Sequence, residues 1–233
     1  EMIEIAKEKK SFFWKGEYKN DFNTRVTHDT QLNALELYRP NLSKGLNDFK
    51  LVMLGNLDPG IQMDILSQVR NDDKFVILDT MNYWIDKTVK KLSELISKVD
   101  LIVINDEEAK MLGKSHSLQK CAEHIMSCGP EYVIVKKGSE GAELFSKKQK
   151  SEIPAFRIKK VVDPTGAGDS FAGGICGYLS SSPKIDFVEL HNSMIYGTVI
   201  ASFCIQDFGI VGLRKINIEN VNERMQTFNK YLL

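Results

Sequence analysis

Short apolar runs alternate with amphipathic segments through the middle of this chain, and this alternation constrains the fold more than any other feature. The apolar runs occupy residues 51–55, 75–79, 101–105 and 132–136. Helix-like periodicity covers residues 59–69, 84–99, 106–112 and 118–128. Short apolar strands that alternate with amphipathic helices are typical of a parallel sheet covered on both faces. The pattern predicts an α/β fold whose ligands bind beyond the carboxyl ends of the strands.

A glycine-rich run, D-P-T-G-A-G-D-S-F-A-G-G, spans residues 163–174. Alternating residues at 158–162 predict a strand before it, and the spacing of Phe171 and Ile175 predicts a helix after it. The glycines therefore lie on a turn into a helix, where unpaired amides and the helix dipole favour an anion such as phosphate. Asp169 has two interpretations: it stabilises the helix N-terminus, or it is a base that takes a proton from a hydroxyl.

This run resembles the C-terminal signature of the ribokinase family, also called the PfkB carbohydrate-kinase family. The resemblance implies a three-layer ribokinase-like sandwich with a central, mostly parallel sheet and a small β lid. It also implies an ATP-dependent kinase that transfers the γ-phosphoryl group to a hydroxyl of a sugar or a nucleoside. Asp169 is then the catalytic base, and the amides of Gly166, Ala167 and Gly168 form the anion hole.

The segment Asn105-Asp106-Glu107-Glu108 follows the third apolar run and resembles the family's N-x-x-E motif. On that match, Asn105 and Glu108 support binding of magnesium and phosphate, with Glu108 acting through the water shell of the ion. The same residues are also explained by a helix N-terminus rich in acids, which the helix dipole favours. Both interpretations stay open.

The segment after the fourth apolar run contains Lys136, Gly138, Ser139 and Gly141. As a pattern it is a tight turn into a further strand at residues 143–145. In the family the matching segment runs over the nucleotide, so the resemblance implies that these four residues line the ATP site. The Lys136 charge then meets the ATP phosphates, or it points to solvent as most lysines do.

Two further helices are predicted at residues 185–205 and 218–231, and the first carries Thr198 at a position where the family contacts adenine. After that helix the family places carbonyl ligands for a monovalent cation such as K⁺. Alignment around the glycine of Asp-Phe-Gly implies the backbone ligands Asp163, Thr165, Cys204, Asp207, Gly209 and Leu213.

The N-terminal part has a different pattern. Residues 1–10 are charged and helix-like, and β-type runs follow at residues 12–18, 23–27 and 31–38. In the family, such strands form a lid over the substrate and often pair with a second subunit. The resemblance therefore implies a lid at about residues 11–38 and a homodimer formed through it, although aromatic residues in strands are also ordinary core residues.

Composition narrows the class of partner. Lysine plus arginine and aspartate plus glutamate both number 31, so no net positive charge favours nucleic acid. No apolar run approaches membrane-spanning length and no signal peptide opens the sequence, so we expect a cytoplasmic protein without a membrane partner. The 4 cysteines lack C-x-x-C spacing and are expected to be buried free thiols rather than zinc ligands.

Family members usually open with a strand, a lid strand and a G-G-x-x-x-N helix that hold the substrate, and no such run precedes Glu1. The expectation is one ribokinase-like domain over residues 1–233 that lacks the N-terminal part. No Walker A sequence occurs, so phosphate would be held by the helix end and by magnesium. Two classes of function stay open: an active sugar or nucleoside kinase, and a catalytically silent nucleotide-binding module.

Overall fold

The computed structural model describes residues 5–19, 25–42 and 48–232. Its first two strands, β1 (Phe13–Tyr18) and β2 (Arg25–Gln31), pair antiparallel in a small sheet of their own. The register shifts between Lys15 and Gly16, which indicates a bulge that increases the local twist. Two of the β-type runs are therefore strands; residues 23 and 24 of the second run lie outside the described part.

A second, larger sheet forms the centre of the molecule. Its strands are β3 (Leu51–Leu54), β4 (Phe75–Asp79), β5 (Leu101–Asn105), β6 (Tyr132–Lys136), β7 (Ala142–Ser146) and β8 (Lys150–Ile153). They lie side by side in that order; β3 to β6 are parallel, while β7 and β8 are added antiparallel. The predicted mostly parallel sheet is confirmed, and the carboxyl ends of β3 to β6 share one edge.

Helices fill the connections between these strands and the C-terminal part. They are α1 (Pro59–Gln68), α2 (Asn82–Lys87), α3 (Val89–Ile96), α4 (Asp106–Gly113), α5 (Leu118–Ser127), α6 (Ala167–Leu179), α7 (Phe187–Cys204), α8 (Val211–Arg214) and α9 (Ile218–Leu232). Aspartates start two of them: Asp58 accepts from the Gly60 amide before α1, and Asp186 accepts from the first amides of α7. Such side chains satisfy amides that have no partner inside the helix.

The sheet is covered on both faces, which gives three layers. Along β4, Val76 and Leu78 belong to one buried cluster while Ile77 belongs to the other, as the two-residue period of a strand requires. The first cluster joins the sheet to α1 through α5, and the second joins it to α6, α7 and α9. Every one of these strand residues is at most 2% exposed, as expected of strands buried on both sides.

Two predicted strands are wrong. Residues 158–162 form no strand, since β8 has already ended and the Val162 amide instead donates to the Ile205 carbonyl at the end of α7, at 2.8 Å. Residues 31–38 hold only the last residue of β2 and then a 3₁₀ helix, Asn33–Leu37. Asn33 has a φ of 51°, which turns the chain out of the extended conformation, and its side chain donates to the Ser11 carbonyl.

Two predicted helices also differ from the structure. The described part of residues 1–10 contains a turn, with the Lys9 amide bonded to the Ala6 carbonyl, and no helix. A segment this short and charged gains little from helix formation without an apolar face to bury. Residues 84–99 do not form one helix, because Thr88 has a φ of −131° and separates α2 from α3.

The cysteines are free thiols, and one expectation about them is wrong: Cys128 is exposed, whereas Cys121 and Cys204 are buried. Cys128 lies just after the last residue of α5 and, unlike Cys121, does not belong to the buried cluster beneath that helix. Among the described residues, none of the helices combines the length and the apolar character needed to cross a bilayer.

Candidate active site

The glycine-rich turn leads directly into α6. Gly166 precedes the helix with a φ of 84°, a left-handed conformation that glycine adopts without strain. The Ala167 amide donates to the Pro164 carbonyl at 3.1 Å, and the Ser170 amide donates to the Gly166 carbonyl at 2.8 Å. No residue in the described ranges accepts from the amides of Gly168 and Asp169. Of the three amides predicted as an anion hole, that of Ala167 is thus engaged, whereas those of Gly166 and Gly168 have no acceptor among the described residues.

Asp169 lies in the first turn of α6 with its side chain exposed. Within the described part of the chain, no hydrogen bond or ion pair engages its carboxylate. A carboxylate in this state is able to accept a proton from a hydroxyl placed beside it, provided the hydroxyl comes within hydrogen-bond distance. The arrangement of base and amides therefore suits attack by an alcohol on a phosphoryl group.

Lys136 connects this turn to the central sheet. A Cβ placed on Gly168 would lie 3.3 Å from the Lys136 ammonium, so the end of β6 and the start of α6 meet here. The ammonium is also 3.5 Å from Oδ1 of Asp79, the last residue of β4. A positive side chain therefore stands beside the available amides, and the interpretation of Lys136 as a purely solvent-facing residue is wrong: its side chain is only 19% exposed.

Asp79 is a candidate functional residue that the sequence analysis missed. It is 5% exposed, and burial raises the pKa of its carboxyl. The nearby Lys136 ammonium opposes that rise in the pKa, while the negative charge of Asp169 adds to it. The available signal was an acid that ends a buried apolar strand at the edge where ligands bind.

Asn105 and Glu108 form a reciprocal cap at the start of α4. The Asn105 side chain accepts from the Glu108 amide, and Oε2 of Glu108 accepts from the Asn105 amide, both at 2.8 Å. This is a capping box, which stabilises the helix whether or not a ligand is bound. Both residues lie at the carboxyl end of β5, one strand away from Asp79 and Lys136. Their predicted role with magnesium stays a prediction.

Gly138, Ser139 and Gly141 form the tight connection between β6 and β7. The turn contains a short 3₁₀ segment, Gly138–Glu140, and both glycines have positive φ, 56° and 95°. The Lys137 amide donates to the Gly141 carbonyl at 2.7 Å, which closes the hairpin. The hairpin begins one residue after Lys136, so the predicted nucleotide segment extends from the same corner of the sheet.

Four of the residues predicted to bind a monovalent cation come together behind the glycine-rich turn. The Asp163 carboxylate accepts from the amides of Thr165 and Gly209, at 2.9 and 3.3 Å. Burial alone would raise the pKa of Asp163, but its hydrogen bonds from Thr165 and Gly209 outweigh this and lower the pKa. The carbonyl oxygens of Thr165 and Gly209 lie 3.6 and 3.9 Å from the Cys204 Sγ. This clustering is compatible with the predicted site.

The remaining predicted residues are placed differently. The Asp207 carboxylate pairs with the Lys215 ammonium, and Leu213 lies within the short helix α8. Thr198 is 8% exposed in α7, next to Gly197, at the close crossing between α7 and α6. The structure thus explains Thr198 by helix packing, and its adenine contact stays a prediction.

A cavity of about 430 Å³ opens at the carboxyl ends of β3 and β4, under the segment that follows β2. Its walls combine aromatic side chains with acidic, amide and basic groups. They include Phe12, Glu36, Arg39, Asn56, Asp58, Asp64, Met81, Tyr83, Trp84 and Lys91. Inside it, the Trp84 indole donates to Asn56 Oδ1 at 2.9 Å. Met81, in the wall of the cavity, is only two residues after Asp79 in the sequence. The cavity therefore lies close to the ion pair between Asp79 and Lys136.

The small sheet reaches the glycine-rich turn as well. The Thr165 hydroxyl and the Tyr18 hydroxyl, at the end of β1, are 3.5 Å apart. Together with the residues after β2 that line the cavity, this contact places part of the predicted lid over the carboxyl edge of the central sheet. No group of three or more His, Cys, Asp or Glu side chains among the described residues is arranged to hold a metal ion directly.

Replacement of Gly166 by alanine tests the conformation of the turn. A Cβ there would meet only Cys204 Sγ, at 3.6 Å, so the penalty comes from the backbone with φ of 84°. We expect Gly166→Ala to lower the free energy of unfolding by roughly 1–2 kcal/mol. Gly173→Ala is the control, since that helical glycine is exposed and nothing lies within 4 Å of an added Cβ. Its free energy of unfolding should rise by roughly 0.5–1 kcal/mol. Urea unfolding measures both; equal stabilities would contradict the left-handed assignment.

Comparison with known proteins identifies the family. The model of the pfkB family carbohydrate kinases matches residues 22–214. The chain therefore belongs to the pfkB family. A cytidine kinase of Thermococcus kodakarensis is 29% identical over 149 residues, which cover 61% of this chain and 52% of that kinase. A ribokinase of Staphylococcus aureus is 29% identical over 122 residues, which cover 50% of this chain and 38% of that enzyme.

Solved structures agree on the fold. A nucleoside kinase of Burkholderia thailandensis in complex with inosine superposes with a TM-score of 0.76 at 20% identity, covering 95% of this chain and 70% of that one. A ribokinase of Thermotoga maritima gives a TM-score of 0.68 at 23% identity, with 91% and 69% covered. The predicted ribokinase-like α/β fold is confirmed. The chain spans about half the length, or less, of the curated relatives described above.

Proposed function

We propose that this protein is an ATP-dependent kinase that transfers the γ-phosphoryl group to a hydroxyl of a sugar or a nucleoside. The observation that carries the proposal is the start of α6, where the exposed Asp169 carboxylate adjoins the available amides of Gly168 and Asp169 and the Lys136 ammonium. An anion site and a base are combined there, and phosphoryl transfer requires both. Membership of the pfkB family supports the same conclusion.

In the proposed reaction, the acceptor hydroxyl oxygen forms a bond to the γ-phosphorus while the bond from that phosphorus to the β,γ-bridging oxygen breaks. Asp169 takes the hydroxyl proton, and ADP leaves with the bridging oxygen. The amides at the start of α6 face the oxygens of the transferred group, so charge stabilisation and positioning supply most of the rate. The proposal is supported by the position of these residues, which lie together at one corner of the fold.

The proposed nucleotide site extends along the neighbouring strand ends. The hairpin with Gly138, Ser139 and Gly141 would run beside the nucleotide, and Thr198 would approach the adenine. Bound Mg²⁺ would neutralise phosphate charge. Because the described residues offer no direct ligand cluster, the ion would be held by ATP phosphates and water, with Asn105 and Glu108 in support.

The cavity at the ends of β3 and β4 is the proposed acceptor site. Its aromatic walls, Tyr83 and Trp84, suit the flat face of a base or of a sugar ring, and its amide and acidic groups suit hydroxyls. The names of relatives include both classes, a cytidine kinase and a ribokinase. The aromatic walls of the cavity support a nucleoside as a candidate acceptor in addition to a free sugar.

Further proposals concern the surroundings of the site. The cluster of Asp163, Thr165, Cys204 and Gly209 would hold K⁺ through backbone oxygens, and the Asp207 carbonyl is a further proposed ligand. Phe13 and Val26 of the small sheet are 46% and 40% exposed, which supports pairing of two lids in a homodimer. The chain is proposed to be one cytoplasmic ribokinase-like domain that binds neither nucleic acid nor membranes.

An ADP-release assay tests the main proposal. The purified chain is incubated with Mg·ATP and a panel of nucleosides and free sugars, and products are identified by mass spectrometry. We expect ADP release to require one class of acceptor and to match the amount of phosphorylated product. ATP binding without acceptor-dependent release would instead support the second candidate function, a catalytically silent nucleotide-binding module.

A further inference from the structure

Asp79 and Lys136 form a largely buried ion pair whose geometry differs from that of the ion pair between Lys137 and Glu143. Oδ1 of Asp79 lies 3.5 Å from the Lys136 ammonium and accepts no hydrogen bond from a described residue. Lys137, the next residue, instead pairs with Glu143 at 2.7 Å, and Glu143 also pairs with Lys150 at 3.0 Å. The Lys137–Glu143 pair is therefore satisfied, whereas the Asp79–Lys136 pair is loose.

A loose ion pair leaves hydrogen-bonding capacity on both partners. An ammonium has three N–H donors and no acceptor, so a single contact to Asp79 leaves donors for a second anion. The ammonium already lies at the start of α6, 3.3 Å from the position of a Cβ on Gly168. The loose contact, the burial of Asp79 and the adjoining available amides together indicate a site that an anion completes.

We propose that Lys136 binds the γ-phosphoryl group of ATP, and that Asp79 is a positioning residue that holds the Lys136 ammonium at the start of α6. This inference rests on the kinase function proposed above and assigns a role to a residue, Asp79, that takes no part in that proposal. Lys136 thereby distinguishes ATP from ADP, because only ATP carries the phosphoryl group that reaches the ammonium.

The charges around the pair explain why Asp79 is needed. Asp169 lies close enough for its charge to act on Asp79, so two acids compete for one nearby ammonium. Without the Asp79 carboxylate, Lys136 is expected to move towards Asp169. It would then neutralise the proposed base and leave the phosphoryl position. Asp79 keeps the ammonium and the base apart by holding the ammonium on the side of β4.

Titration calorimetry with Mg·β,γ-imido-ATP and Mg·ADP tests the role of Lys136 without an acceptor. The measured quantity is the preference, which is the ratio of the two dissociation constants. A charge-assisted hydrogen bond to the third phosphate should make Lys136→Met lower the preference about 10-fold. Lys137→Met is the matched control, because it removes a similarly buried ammonium that is paired elsewhere, and its preference should equal that of the wild type.

Asp79→Asn tests the positioning role in the same titrations. We expect it to lower the preference about 3-fold or more, and to have no further effect in the Lys136→Met background, as coupled residues require. Glu143→Gln is the control, since it removes the acidic partner of the adjacent lysine, Lys137, and its preference should be unchanged. If Asp79→Asn does not fold, Asp79→Glu takes its place; it retains the charge, displaces the ammonium and should lower the preference similarly.

The outcomes separate this inference from the proposed function. An unchanged preference in Lys136→Met would overturn the phosphoryl contact, and an unchanged or increased preference in the Asp79 variant would overturn the positioning role. In both cases the wild type still binds ATP and the kinase proposal survives. If the wild-type chain binds neither nucleotide, the proposed ATP site is wrong, and this inference is overturned with it.

Discussion

Asp169→Asn should lower acceptor-dependent turnover by roughly 10²–10⁴-fold, the range typical for loss of a general base. Asparagine preserves the shape of the side chain but cannot take the proton of the attacking hydroxyl. The side chain is exposed and bonds to no described residue, so folding should be little affected. The affinity for Mg·β,γ-imido-ATP should also stay close to that of the wild type. Initial rates with the acceptor found in the panel measure the effect.

Glu219→Gln is the matched control for this substitution. Glu219 is likewise an exposed acid in the first turn of a helix, α9, but it lies outside the proposed site. Any general effect of removing negative charge from a helix N-terminus should appear in both variants and amount to less than about 1 kcal/mol. Comparable turnover in Asp169→Asn and Glu219→Gln would remove Asp169 as the base.

Gly141→Ala should have the largest effect on stability among the substitutions considered. Gly141 has a φ of 95°, and a Cβ there would lie 2.0 Å from the Ile153 carbonyl oxygen and 2.6 Å from the Pro154 carbonyl carbon. Both obstacles are backbone atoms, which cannot rotate away as a flexible side chain does. Backbone strain and steric overlap together should lower the free energy of unfolding by roughly 2–5 kcal/mol, measured by urea denaturation.

Gly55→Ala is the control for the hairpin substitution. It also follows a strand of the central sheet, but nothing lies within 4 Å of its added Cβ and its φ is not positive. Its free energy of unfolding should change by less than about 1 kcal/mol. A Gly141→Ala protein as stable as Gly55→Ala would show that the connection between β6 and β7 does not approach the end of β8 as described.

The fold was predictable from the sequence where both faces of a strand are buried. The runs that became β3 to β6 are apolar at almost every position because both faces of the sheet are covered, and such runs have few alternative structures. Residues 158–162 show the limit of that reasoning. Their alternation satisfies the strand period, but a strand also needs a neighbour. Within the described part of the chain, the segment makes only an isolated backbone bond to the end of α7.

Candidate site residues could be proposed from the sequence where a contiguous motif contains them. The glycine-rich turn and the acids of α4 are contiguous motifs, so Asp169, Gly168, Asn105 and Glu108 could be proposed from their resemblance to the family's motifs. Asp79 could not be proposed in this way, because its proposed role depends on its contact with Lys136. Lys136 is 57 residues later in the sequence, and the two come together only because β4 and β6 flank β5 in the sheet. A contact made by the topology of a parallel sheet leaves no short-range pattern.

Amide NMR on protein labelled with ¹⁵N at glycine and aspartate tests the central claim most directly. The claim is that the free amides at the start of α6 receive the charge of the transferred phosphoryl group. On addition of Mg·ADP with aluminium fluoride and the acceptor, the Gly168 and Asp169 amide signals should shift strongly downfield and exchange more slowly with solvent. The Gly173 signal, from an exposed position further along α6, should change little. Binding of the analogue with the Gly168 and Asp169 signals unmoved would contradict the account.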